Sequence, residues 1–198
     1  KSTFLFLLTF SLFAPSLFAQ YPDLNSDISW SGGKSTVAEL EAAFNNARTQ
    51  ENSQLNTSLP DITLPSQGEW DAISPEERAL WLYNIERKDR GIPELEGLDS
   101  RVSTVAENFA QYCADNDTSG HWGDGIGPGS RLNTDPDIQS CSSYWNENMG
   151  YVWSTSQISN AVATNIYYFM YTDASSNWGH RQNILYDSFN DNSGEQGK

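Results

Sequence analysis

Only two histidines occur in the chain, and their surroundings match. His121 stands in Gly120-His121-Trp122, and His180 stands in Trp178-Gly179-His180. Histidine is the usual ligand or proton carrier near neutral pH. A preceding glycine lets the backbone turn tightly and present the ring to a cleft. Trp122 and Trp178 offer apolar walls beside the rings. The plainer alternative is that each ring only satisfies nearby backbone groups, and the matched contexts put the two readings level. Glu147, in Asn146-Glu147-Asn148-Met149-Gly150, is a carboxylate of the kind that orients a histidine or shares a cation with it. Taken alone, it reads as a solvated loop acid.

Two neutral imidazoles suit zinc or copper and suit calcium poorly. A weak divalent site, such as a zinc site on His121 and His180, is therefore the metal chemistry to expect. The other familiar constellations fail. There is no GxSxG and no HExxH, and the run Gly123 to Gly129 is not a dinucleotide or phosphate loop. Asn56 and Asn116 each open a glycosylation triplet, too short a signal to use alone.

Helical spacing supplies the elements that must position these residues. Val37, Leu40, Ala43, Phe44 and Ala47 fall at intervals of three and four, predicting an amphipathic helix. The stretch 50–67 is rich in Asn, Ser, Thr and Pro and reads as a linker or wrapped loop. Residues 20–72 are thus read as an N-terminal extension that packs on a main domain, since one amphipathic helix cannot bury its face alone. The main domain, 73–198, opens with Ser74-Pro75-Glu76-Glu77, a helix start with Ser as cap and Glu three residues on. Leu80, Trp81, Asn84 and Ile85 follow at helical spacing, and Gly91 ends the run. A second helix is predicted over 100–115, with Val102, Val105, Ala106, Phe109, Ala110 and Cys113 as its buried stripe. A glycine-rich loop spans 119–129, and 149–153 is a candidate short strand. A third helix is predicted from Gln157 to about Thr172, with Ile158, Ala161, Val162, Ile166, Phe169 and Met170 inward.

Residues 1–19 read as a secretory signal peptide: Lys1, an apolar run through Phe13-Ala14, and Ala19 before the cut. That run is shorter than the ~20 residues that span a bilayer, so no transmembrane segment is expected in the mature chain. Export makes a single Cys113–Cys141 disulfide the simplest reading of the two cysteines, closing a loop that holds His121. With 11 basic against 26 acidic residues, a net charge of -15, the chain repels phosphate backbones, and nucleic acid is excluded as a partner.

The order of elements resembles the CAP superfamily: cysteine-rich secretory proteins, antigen 5, plant pathogenesis-related proteins, and especially their secreted bacterial relatives. The resembling stretch is 73–198. Asn84-Ile85-Glu86-Arg87 is similar to the family's Asn-x-x-Arg helix, and His121 matches its first cavity histidine. Glu147-Asn148-Met149 is similar to its Glu-Asn-Ile/Leu motif. Gly179-His180-Arg181-Gln182-Asn183-Ile184-Leu185 matches the bacterial Gly-His-Arg-x-Asn-Ile-Leu. The resemblance implies an α/β fold, a three-layer α-β-α sandwich around a central antiparallel sheet. It also implies a cavity lined by two histidines and two acids. Bacterial relatives usually carry the second acid directly before Gly-His-Arg, where this chain has Trp178. Asp173 is the nearest acidic substitute. Relatives also continue into further strands, so the domain reads as incomplete at its C-terminus.

The expectation is a secreted, extracellular or periplasmic binding module of a non-enzymatic kind. Its cavity, at His121, Glu147, His180, Asp173, Trp122 and Trp178, takes a small molecule, lipid or peptide, or a divalent metal. The alternative is a metal-assisted hydrolase or peptidase, in which His121 and His180 hold the ion and Glu147 activates water. A surface protein with a vestigial cavity is the third reading.

Overall fold

Three helix starts in succession carry the same reciprocal cap. Thr36 Oγ1 accepts from the Glu39 N–H while Glu39 Oε2 accepts from the Thr36 N–H. Ser66 with Glu69 and Ser74 with Glu77 repeat the box. These caps satisfy backbone donors that the first turn leaves open, and they fix where three of the helices begin. The computed structural model describes residues 21–186, except 23, 142–144, 152–153 and 155–156. The signal-peptide reading of 1–19 lies outside the described residues.

In chain order the helices are α1 (Val37–Leu55), α2 (Gln67–Ala72), α3 (Pro75–Lys88), α4 (Ser100–Asp115), α5 (Pro128–Leu132), α6 (Pro136–Cys141), α7 (Ala161–Tyr171) and α8 (Gly179–Ile184). A single 3-10 turn, Asp173–Ser176, joins α7 to α8. The expected α/β sandwich is overturned: no strand or sheet forms among the described residues. The one strand-type contact there is an isolated parallel bridge between Gly33 and Ser159. Residues 149–151 of the candidate strand have no ladder beside them, and 152–153 lie outside the described residues. Side chains take up carbonyls in and just before this segment instead. Asn183 donates to the Glu147 carbonyl and Trp30 Nε1 to the Tyr151 carbonyl. An extended segment without a second one to pair with makes no sheet.

The main core lies where α1, α3, α7 and α8 meet. Leu40, Phe44 and Ala47 of α1, Leu82 of α3, Ile166, Tyr167, Met170 and Tyr171 of α7, and Ile184 of α8 are almost wholly buried in one cluster. Ile28, Ile62, Leu64 and Trp70 from the segment 21–72 join it. Phe44 meets Tyr167 and Tyr171 edge-on, with ring centroids 5.4 and 5.9 Å away. α7 starts at Ala161, later than its periodicity predicts. Asn160, in left-handed conformation at φ 49°, stands at the cap, and Ile158 lies outside the helix.

α4 has its predicted bounds but not its predicted stripe. Only Phe109 and Cys113 are buried, and Val102 is exposed. The expected disulfide is not formed either. Both cysteines are free thiols, Cys113 buried and Cys141 exposed. Cys113 Sγ faces the inside of the loop at Gly123, while the Cys141 thiol donates back to the Asp137 carbonyl of its own helix. Burial pushes the Cys113 thiol up, and Asp124 and Glu147 add to the shift. Such a thiol stays protonated and unreactive.

Charge as well as apolar surface is buried between the helices. Arg48 Nη2 of α1 stands 3.0 Å from Glu86 Oε2 of α3, both side chains almost fully enclosed. Arg48 also reaches Asp89 (2.5 Å) and the Pro60 carbonyl (2.8 Å). Glu51 of α1 accepts from Arg90 (2.8 Å) and from Arg181 of α8 (2.6 Å). Arg90 also pairs with Glu86, and the Tyr171 hydroxyl donates to Glu86 Oε1 at 2.7 Å. Three arginines thus face three carboxylates across α1, α3 with the turn that ends it, and α8.

Burial pushes Glu86 up, but Arg90 and Arg48 beside it more than offset this, and its carboxyl ends below the ordinary carboxylate range. A carboxylate lowered by folding stabilises the protein above its unfolded pKa of ~4.3. That stability is lost as pH falls through the folded value. Denaturant titrations should therefore show unfolding free energy falling below about pH 4.3, with a shallower fall in Glu86→Gln. Glu86→Ala, which strands Arg48 and Arg90, should cost about 3–5 kcal/mol at neutral pH.

Candidate functional site

Each histidine is held by a carboxylate on the same ring atom. His121 Nδ1 lies 2.7 Å from Glu147 Oε1, and His180 Nδ1 lies 2.7 Å from Asp173 Oδ1. An ionised carboxylate only accepts, so Nδ1 carries the proton in both rings, and in the neutral ring Nε2 keeps its lone pair. This is the arrangement in which an acid bonded to one ring nitrogen orients an imidazole for a ligand or a proton at the other.

The Glu147 pair is set by the loop between α4 and α5. Gly120 takes φ 89°, the left-handed region open to glycine, and so turns the chain into His121. Arg131 of α5 fastens this loop to Glu147. Its Nη2 reaches both Glu147 oxygens (3.1 and 2.9 Å) and the His121 carbonyl (2.9 Å), and its Nη1 reaches Asp124 (2.8 Å). The guanidinium lies 3.4 Å from the ring centroid of Phe109 on α4. Glu147 is thereby engaged on both oxygens. The imidazole of His121 is still well exposed, at 44 %.

The Asp173 pair is set by the turn from α7 into α8. Here the left-handed residues are Asn177 and Trp178, at φ 50° and 62°, rather than Gly179. A tryptophan in that region is strained. Its consequence is that the first amides of α8 face back toward the 3-10 turn. Asp173 Oδ2 accepts from the N–H groups of His180 (2.9 Å) and Arg181 (3.2 Å), while Oδ1 holds the His180 ring. Phe169 stacks on the same ring, with centroids 4.5 Å apart.

Asparagines join the two pairs. Asn148, next to Glu147, donates to the His180 carbonyl at 3.0 Å, and Asn183 of α8 donates to Asn148 Oδ1 at 2.8 Å. Beside His180 and Asp173 lies an open cavity of about 310 Å³, with Trp30, Tyr168 and Phe169 on its aromatic side. His121, Glu147, Trp122 and Trp178 do not line it. Trp178 stacks on Tyr21 with centroids 5.1 Å apart and planes 8° apart. Trp122 is 69 % exposed and rests on Gly127, where a Cβ would come within 2.6 Å of its ring. The walls that sequence context assigned to the two tryptophans are supplied by other residues. Trp30 and Tyr168 were missed because no motif marks them. Arg131 was missed because its role depends on a loop closing over it.

No group of three or more His, Cys, Asp or Glu side chains among the described residues is arranged to hold a metal ion. The model of the cysteine-rich secretory protein family (CAP) matches residues 80–191, more than half of the chain. The chain belongs to this family. No curated protein and no solved structure matches it. Within the CAP stretch, several family-motif residues act as clamps. Asn84 brackets Leu95, accepting from its N–H and donating to its carbonyl. Arg87 donates to the carbonyls of Pro93, Ile184 and Tyr186. Arg181 is buried against Glu51. Among the described residues, no helix is long and apolar enough to cross a membrane.

Asp173 is 4 % exposed and satisfies three donors. Asp173→Ala should cost about 1–3 kcal/mol in denaturant unfolding, the penalty of leaving buried donors unpaired. In nitrogen-15 NMR it should also release the His180 ring from its single tautomer.

Proposed function

We propose that this CAP protein is a secreted, non-enzymatic binding module whose histidine–carboxylate site takes a small ligand or, weakly, a divalent metal such as zinc. The observation that carries the reading is the pairing of both histidines through Nδ1, which leaves Nε2 as the ring atom with a lone pair for a ligand in each. Two imidazole nitrogens with no further clustered donor make a weak site. His121 and His180 would supply the nitrogens, and Glu147 and Asp173 would orient them. Secretion is supported by the family and by the apolar run in 1–19. A net charge of -15 argues against nucleic acid.

The hydrolase reading is disfavoured by Glu147. A water-activating carboxylate needs an oxygen free to take a proton, and both of its oxygens accept from Arg131. Isothermal titration with zinc at neutral pH tests the binding reading. Wild type should take up zinc, His121→Ala and His180→Ala should each lose at least about tenfold in affinity, and acidification should weaken uptake because protonated imidazole is no ligand. Equal uptake by wild type and the double variant places the metal elsewhere. No uptake leaves a pocket for organic ligands alone.

A further inference from the structure

We infer that the cavity beside His180 is a binding site for a neutral saccharide. The inference rests on the binding-module reading and names the ligand class that one part of the site takes. It starts from the walls. Trp30 and Tyr168 stand at right angles, with centroids 4.4 Å apart and planes 86° apart. Neither ring is loose. Trp30 Nε1 donates to the Tyr151 carbonyl at 3.3 Å, and the Tyr168 hydroxyl donates to the Ile28 carbonyl at 2.6 Å. Two anchored rings form a preformed apolar corner, so little ordering cost falls on binding.

The cavity also carries uncharged polar groups. Ser175 and Ser176 line the cavity from the exposed 3-10 turn, and their hydroxyls have no hydrogen-bond partner among the described residues. Hydroxyls both donate and accept, which suits a ligand that itself carries many hydroxyls. Charge then separates the candidate classes. Among the described residues no lysine or arginine lines the cavity, so an anion finds no partner there. Asp173 is the one carboxylate among the described lining residues, and its oxygens already accept from His180 Nδ1 and from two backbone N–H groups. An organic cation would meet a carboxylate whose charge is already shared among three donors. A pyranose ring needs neither. Its C–H face lies on an aromatic wall, and its hydroxyls meet Ser175 and Ser176. A volume of about 310 Å³ is at the small end of ligand sites and fits a short saccharide.

The test is ligand-observed NMR and calorimetry on the intact chain. The probes are cellobiose, maltose and N,N′-diacetylchitobiose, with choline chloride and glucuronate as charged controls. At least one disaccharide should bind, and neither control should compete with it. Trp30→Ala should weaken that binding by roughly three- to tenfold, the range of one aromatic contact. Ser175→Ala/Ser176→Ala, a change confined to exposed hydroxyls, should weaken it as well while leaving the circular dichroism spectrum unchanged. The second variant keeps the test decisive if removing Trp30 perturbs folding. Three results overturn the inference: no disaccharide binds, choline binds in preference, or the serine variant binds the disaccharide as tightly as wild type. Zinc uptake with no saccharide binding would leave the metal-site reading standing and remove only this one.

Discussion

Four buried charges and two partly buried ones tie the helices into one arrangement. Arg48, Arg90 and Arg181 face Glu51, Glu86 and Asp89, and the Tyr171 hydroxyl fills the remaining position on Glu86. Taking any of these out of water without its partner costs several kcal/mol. α1 must therefore lie against α3 and α8, because Glu51 and Arg48 have no other counter-charges in the described cluster. The apolar faces alone would tolerate sliding between helices, whereas ion pairs at 2.6 to 3.0 Å do not. The histidine site inherits this rigidity. Arg181, tied to Glu51, follows directly after His180, so the hold on α8 is also the hold on one imidazole.

The same logic explains why family-motif residues serve mostly as fasteners. Asn84 and Arg87 close the chain after α3 and tie it to the end of α8. Asn183 links α8 to the Glu147-Asn148 segment. The chemistry-bearing groups are fewer: two imidazoles, each with one carboxylate, and an aromatic corner built from a residue ahead of α1 and a residue on α7. Trp30 lies outside the matched stretch 80–191. The cavity is thus shaped in part by residues that the family match does not cover.

Part of this was legible in the sequence. The apolar spacing of α1 marked Val37, Leu40, Ala43, Phe44 and Ala47, all of which are buried, and the capping residues marked the start of α3. The family followed from His121, Glu147 and the Gly-His-Arg stretch. The sheet was a property of the resemblance, and no periodicity in the chain required it. The α4 stripe failed because helical spacing shows that residues share a face but not whether anything packs on that face. Arg48 and Glu51 went unnoticed because a pattern of apolar residues says nothing about charges buried beside them. The exchange of Trp178 for the usual acid was visible, but the place of Asp173 depended on the left-handed turn at Asn177 and Trp178, which composition does not announce.

The claim on which the rest depends is that the charge cluster makes α1, α3 and α7 one cooperative unit. Native-state hydrogen exchange measures this directly. The slowest amides of all three helices should exchange through a common opening, with one free energy equal to that of global unfolding. If the amides of α1 instead open at a clearly lower free energy while α3 and α7 stay protected, the cluster does not bind the helices together, and the account is wrong.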